Sequence, residues 1–84
     1  MRNYTPSYTQ AALDALLGTS RSRRRRAVGT VERLCQHPHQ AGDCTIDDIA
    51  GRECTVLMQD GVLLTYWLDD AVCEIRIIAI EWVD

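Results

Sequence analysis

The stretch DGVLLTYWLDD, residues 60–70, decides the fold of this chain. Asp60-Gly61 is the dipeptide of a two-residue hairpin turn, because both of its positions tolerate a positive φ. Val62–Leu68 is an apolar run rich in β-formers, and Asp69-Asp70 ends it. Similar runs lie on both sides, a strand near Cys54–Met58 before it and CEIRIIAIEWV after it. Three consecutive strands joined by tight turns predict an antiparallel meander. Val62, Leu64 and Tyr66 alternate with Leu63, Thr65 and Trp67, so one set should meet a covering layer. The sequence leaves open which set. In the last strand Ile75, Ile77 and Ala79 alternate with Arg76, Ile78 and Ile80. Apolar residues on both faces predict a strand covered on both sides for much of its length, or one lying in the sheet centre.

Working outward, the rhythm changes from two to between three and four. YTQAALDALL places Ala12, Leu13, Leu16 and Leu17 at helical spacing. Ser7 or Thr9 is its expected N-cap, and Gly18 its end. A second helix, RSRRRRAVGTVERLCQ, has Ala27, Val28, Val31, Leu34 and Cys35 as its apolar face, with Thr19 or Ser20 before it. Gly29 sits inside at a cost of about 1 kcal/mol relative to Ala. HPHQAG stops this helix, since Pro38 disfavours helix at His37. A short linker implies an antiparallel helical hairpin. NYTPSY is expected as a brief first edge strand, and a turn is expected around Ala50-Gly51. The fold expected is α+β, β-α-α-β-β-β. The helical hairpin packs on one face of a three- to four-stranded antiparallel sheet, as a single domain over residues 1–84.

The totals narrow the function. No apolar run approaches the about 20 residues that span a bilayer, and MRNYTPSYTQ is polar, so a cytoplasmic protein without membrane contact is expected. With no export signal, Cys35, Cys44, Cys54 and Cys73 are not expected to form a disulfide framework. All nine basic residues are Arg. Residues 1–33 carry a balance of +5 and residues 34–84 one of −8, so the two ends can face different partners.

Three segments together resemble the RelE/ParE superfamily of toxin–antitoxin toxins. They are YTPSYTQAALDAL, an arginine-rich second helix running out through VERLCQHPHQAG, and GRECTVLMQDGVLLTYWLDDAVCEIRIIAI. Members of that superfamily are similar in each part: a short first strand, two helices, an HP…G exit, a Gly-Arg entry to the sheet, a strand ending in Tyr and a final aliphatic strand. The resemblance covers most of the chain. It implies a bacterial, growth-inhibiting toxin neutralised by a cognate antitoxin. The mRNA-cleaving members carry Arg and Lys on the sheet strands and a basic or Tyr-containing tail. Cations are needed there to hold the scissile phosphate, with a general acid or base beside the attacking hydroxyl. Here VLLTYW holds no Arg, and IEWVD holds neither Arg nor Lys. Arg52 and Arg76 are the sheet cations and the only catalytic candidates for a ribosome-dependent endoribonuclease. The expectation is therefore a toxin acting by protein–protein contact, closer to the gyrase-poisoning branch, with DNA gyrase as the target that branch implies. A member that keeps the fold without toxicity is the other alternative.

The partner surface is expected at Arg21, Arg23, Arg24, Arg25, Arg26 and Trp82. A run of arginines is a phosphate or acidic-partner contact, or else a solvated face paired with the chain's own acids such as Asp14. Nucleic-acid contact through it is the less favoured of these. Arginines at a helix N-terminus oppose the helix dipole, which raises the case for a partner. Arg52 and Arg76 either converge on one groove or pair with Glu53, Glu74 or Glu81. Cys35, His37, His39 and Cys44 follow the spacing C-x-H-x-H-x4-C, which matches no paired zinc arrangement. No metal or cofactor is expected. The acids Asp69, Asp70, Glu74, Glu81 and Asp84 read as solvated charges.

Overall fold

The computed structural model describes residues 3–39, 44–47 and 51–83. The elements are β1 (Thr5–Tyr8), α1 (Gln10–Leu17), α2 (Arg21–Gln36), β2 (Cys44–Asp47), β3 (Glu53–Gln59), β4 (Val62–Asp69) and β5 (Glu74–Trp82). Both helices and the last three strands form where the periodicity put them. The expected turn residue Ala50, the segment Gln40–Gly42 and the acid Asp84 lie outside the described residues.

The sheet has five strands in the order β1-β5-β4-β3-β2. Two features exceed the expected three- to four-stranded antiparallel sheet. β2 adds a strand beside β3, and β1 pairs with β5 in parallel. Every residue of β2 is exposed. Such a strand buries no side chain of its own and leaves little hydrophobic pattern to read. The Asp60-Gly61 turn forms as expected, with φ of 56° and 76°, the pair of positive values a type I′ hairpin requires.

The caps follow the side-chain chemistry. The Thr9 hydroxyl accepts from the Ala12 N–H at 3.2 Å, and Ser20 accepts from Arg23 N–H at 3.2 Å. Each supplies an acceptor to an otherwise orphaned helix N–H. The core joins Ala12 and Leu16 of α1, Ala27, Val31, Leu34 and Cys35 of α2, and the sheet residues Leu57, Val62, Leu64, Tyr66, Ile75, Ile77 and Ile80. On β4 it is thus the set Val62, Leu64 and Tyr66 that meets the helices.

β5 departs from simple alternation. Ala79 pairs with Thr65 while Ile77 pairs with the next residue, Tyr66, so Ile78 is the extra residue of a bulge. The bulge reverses the alternation beyond it. Ile75, Ile77, Ile80 and Trp82 share the helix side, and Arg76, Ala79 and Glu81 share the other. β5 does lie inside the sheet, between β1 and β4, but its apolar residues on both faces reflect a register shift and not a cover on both sides. The bulge is anchored by Thr9, which follows the neighbouring strand β1 and caps α1. Thr9 donates its hydroxyl to the Ile78 carbonyl at 2.8 Å, and its N–H donates to the Ile77 carbonyl at 3.1 Å.

Candidate functional site

The eight arginines among the described residues end up in two places that matter. The first is the sheet face turned away from the helices. Register places Trp67 of β4 opposite Arg76 of β5 on that face. The Arg76 guanidinium lies 5.4 Å from the Trp67 ring centroid, and that of Arg52 lies 3.8 Å from it. The two expected candidates do converge, and the indole between them is what joins them. A guanidinium over an indole face is an attractive cation–π contact. Arg76 is also bound to two carboxylates, Asp69 Oδ2 at 3.1 Å and Glu74 Oε1 at 3.0 Å. Two guanidinium groups thus share the cluster with two carboxylates. Around it the face is apolar, with Met58 and Ile46 about half exposed at 53% and 48%.

The second place is α2. Its arginines have separate roles. Arg24 closes the end of α1, donating to the carbonyls of Leu16 at 3.0 Å, Leu17 at 3.2 Å and Thr19 at 3.2 Å. The Leu16 and Leu17 carbonyls are among those a helix end leaves without an intrahelical donor, and Thr19 lies in the link that follows. Arg23 lies 5.8 Å from the half-buried Trp82 ring. Arg21, Arg25 and Arg26 are exposed, and with Gly29, Arg33 and Asp60 they line an open groove of about 560 Å³ between α2 and the β3–β4 turn. Arg33 Nη2 meets Asp60 Oδ2 at 2.8 Å, and Arg26 donates to the Asp60 carbonyl at 3.2 Å. Asp14, the expected acid partner of the run, instead accepts from Gln10 Nε2 at 2.8 Å.

Sequence reasoning missed Arg33, Asp60 and Gly29 on the helix side, and Trp67 and Asp69 on the sheet side. The first group had a signal, since positions 21, 25, 29 and 33 form one row along a helix face. The second depends on cross-strand register, which the chain does not spell out locally.

The remaining candidates separate. Cys35 lies in the core beside β1, whereas Cys44 is on β2 at the opposite sheet edge. His39 packs edge-on against Tyr4, at 5.9 Å between centroids. No cluster of three potential metal ligands exists among the described residues. Burial, and then the nearby Glu32 carboxylate, push the Cys35 thiol above its ordinary value of 9.0. It therefore stays protonated at neutral pH and is no nucleophile. Burial likewise raises Tyr66 and Tyr8, the latter with added repulsion from Cys35 and Glu32. No described helix is long and apolar enough to cross a membrane.

No protein-family model matches the sequence, and no curated protein matches it. Solved structures do match the fold. The RelBE2 toxin–antitoxin complex from Mycobacterium tuberculosis contains a chain superposing with TM-score 0.80 at 17% identity, over 96% of this chain and 99% of that one. The archaeal RelE–RelB complex from Pyrococcus horikoshii gives 0.73 at 12% identity, over 96% of each chain. The isolated RelE toxin of E. coli gives 0.73 at 14% identity, over 96% of this chain and 85% of that one. The backbone thus agrees over nearly the whole chain while the sequences diverge, and the chain has the fold of these RelE structures.

Proposed function

We propose that this protein is the toxin component of a toxin–antitoxin pair, and that it acts through protein–protein contact rather than by cutting mRNA. The fold supports the first part, since two of its solved neighbours are toxins in complex with RelB antitoxins. The same neighbours support a cognate antitoxin as partner. The second part is carried by one observation, the state of Arg76. Its guanidinium is engaged by both Asp69 and Glu74. Phosphoryl cleavage needs cations whose field is available to the charge that develops on the phosphate. A cation flanked by two carboxylates offers little net field, and a phosphate approaching it meets those carboxylates as well. The apolar surround of Trp67, Met58 and Ile46 suits a protein surface better than a charged backbone. A protein target such as a topoisomerase follows from this reading.

The test is induction of this chain alone in a bacterial culture, with growth and mRNA 5′ ends followed in the same samples. Growth arrest with intact mRNA is the expected result, and Arg76→Ala should arrest growth as well as the parent. Codon-positioned cuts that vanish in Arg76→Ala would make the protein a ribonuclease instead. Normal growth with folded protein present would remove the toxin assignment.

A further inference from the structure

The groove on α2 is where positive charge is left over. Four guanidinium groups, those of Arg21, Arg25, Arg26 and Arg33, face a single carboxylate, Asp60. We propose that this groove docks an acidic peptide segment of a partner protein, and that Asp60 is a built-in competitor occupying one carboxylate position in it.

Three observations carry this. First, the groove already holds a carboxylate, because Asp60 Oδ2 sits 2.8 Å from Arg33 Nη2. The hairpin tip is held there by Arg26, which donates to the Asp60 carbonyl. Second, Arg21 and Arg25, one helical turn apart, are exposed, and their side chains make no hydrogen bond or ion pair among the described residues. The row Arg21, Arg25, Gly29, Arg33 presents charge at one-turn intervals with a gap at the third place. Third, the gap is not required by packing, since a Cβ on Gly29 would meet nothing within 4 Å. The missing side chain leaves space between Arg25 and Arg33 that a peptide backbone can enter.

Charge spacing selects a peptide over a nucleic acid. A phosphate backbone carries a charge on every residue and would press one of them against Asp60. Glu32 borders the other flank of the Arg21–Arg25–Gly29 row. A peptide can place Glu or Asp against Arg21 and Arg25 and a neutral residue beside Asp60. This goes beyond the toxin reading and stands on the groove alone.

The test uses the purified full chain and a labelled peptide of alternating Glu and Ala blocks, with a single-stranded DNA oligonucleotide of equal net charge as rival probe. Binding is read by fluorescence anisotropy at low and moderate salt. The peptide should bind in preference to the oligonucleotide and lose affinity as salt rises. Arg21→Gln with Arg25→Gln should weaken it about tenfold, as two partly exposed charge pairs are lost. Asp60→Asn keeps a turn-compatible Asn-Gly and should tighten it about threefold. Equal binding by parent and double variant, a loosened or unchanged Asp60→Asn complex, or preference for the oligonucleotide would overturn the proposal. None of these readouts depends on toxicity, so a failed growth assay leaves this result standing, and the reverse holds too.

Discussion

Arg76 and Arg25 are the same side chain in opposite circumstances. On the sheet face, Arg76 sits among Asp69, Glu74 and the Trp67 ring, so its charge is spent inside the molecule. On α2, Arg25 points into an open groove with three other guanidinium groups and one carboxylate. A count of basic residues ranks the two regions only by number. What separates them is compensation, and compensation is a property of register on the sheet and of helical phase on α2. The sheet face is a surface organised for packing, and the helix face is one that still attracts.

The bulge at Ile78 maintains this division. It sends Ile80 and Trp82 to the helix side, where Trp82 lies near Arg23, and keeps Arg76 on the other. Thr9→Val removes the hydroxyl that donates to the Ile78 carbonyl and caps α1. The loss should be about 2–3 kcal/mol, the sum of a helix cap and a part-buried hydrogen bond. Urea unfolding followed by circular dichroism should then show a lower midpoint. An unchanged midpoint would mean that the bulge keeps its place without the Thr9 anchor.

A smaller effect divides the arginine run itself. Arg24 and Arg25 are neighbours in sequence, yet only Arg24 is bound to the end of α1. Arg24→Ala should cost about 1–2 kcal/mol, since charge-assisted bonds to otherwise orphaned carbonyls are lost from a partly exposed site. Arg25→Ala should stay within about 0.5 kcal/mol, as exposed substitutions do. Equal stabilities would show that the run is uniformly solvated, and the contrast between spent and available arginines would fail within α2.

Much of the fold was legible because its signals are local. The period of the helices, the Ser20 cap and the Asp60-Gly61 turn each lie within a few residues. β2 escaped because its four exposed residues carry no buried alternation. The parallel pairing of β1 with β5 joins residues such as Thr5 and Glu74, which no local rule connects. The candidate sites divide in the same way. Arg21, Arg25 and Arg26 could be placed on a helix face from their spacing. The convergence of Arg52 and Arg76 on Trp67 needed the register of β4 against β5. The division of labour between Arg24 and Arg25 needed the position of α1.

Gly29 gives the finest test of the groove, because it separates stability from recognition at one position. Glycine inside a helix costs conformational entropy without a side chain to repay it, by about 0.5–1 kcal/mol relative to Ala. The site has room for a methyl group. Gly29→Ala should therefore raise stability by about 0.5–1 kcal/mol, read as a higher urea midpoint at an unchanged slope. The added methyl would stand in the gap between Arg25 and Arg33, so the acidic peptide should bind the more stable variant less tightly. A glycine held at a cost in stability and a gain in binding marks a surface shaped for a partner. If Gly29→Ala stabilises the fold and leaves peptide affinity untouched, the peptide follows the Arg21 and Arg25 charges without entering the gap, and the groove recognises charge but not shape.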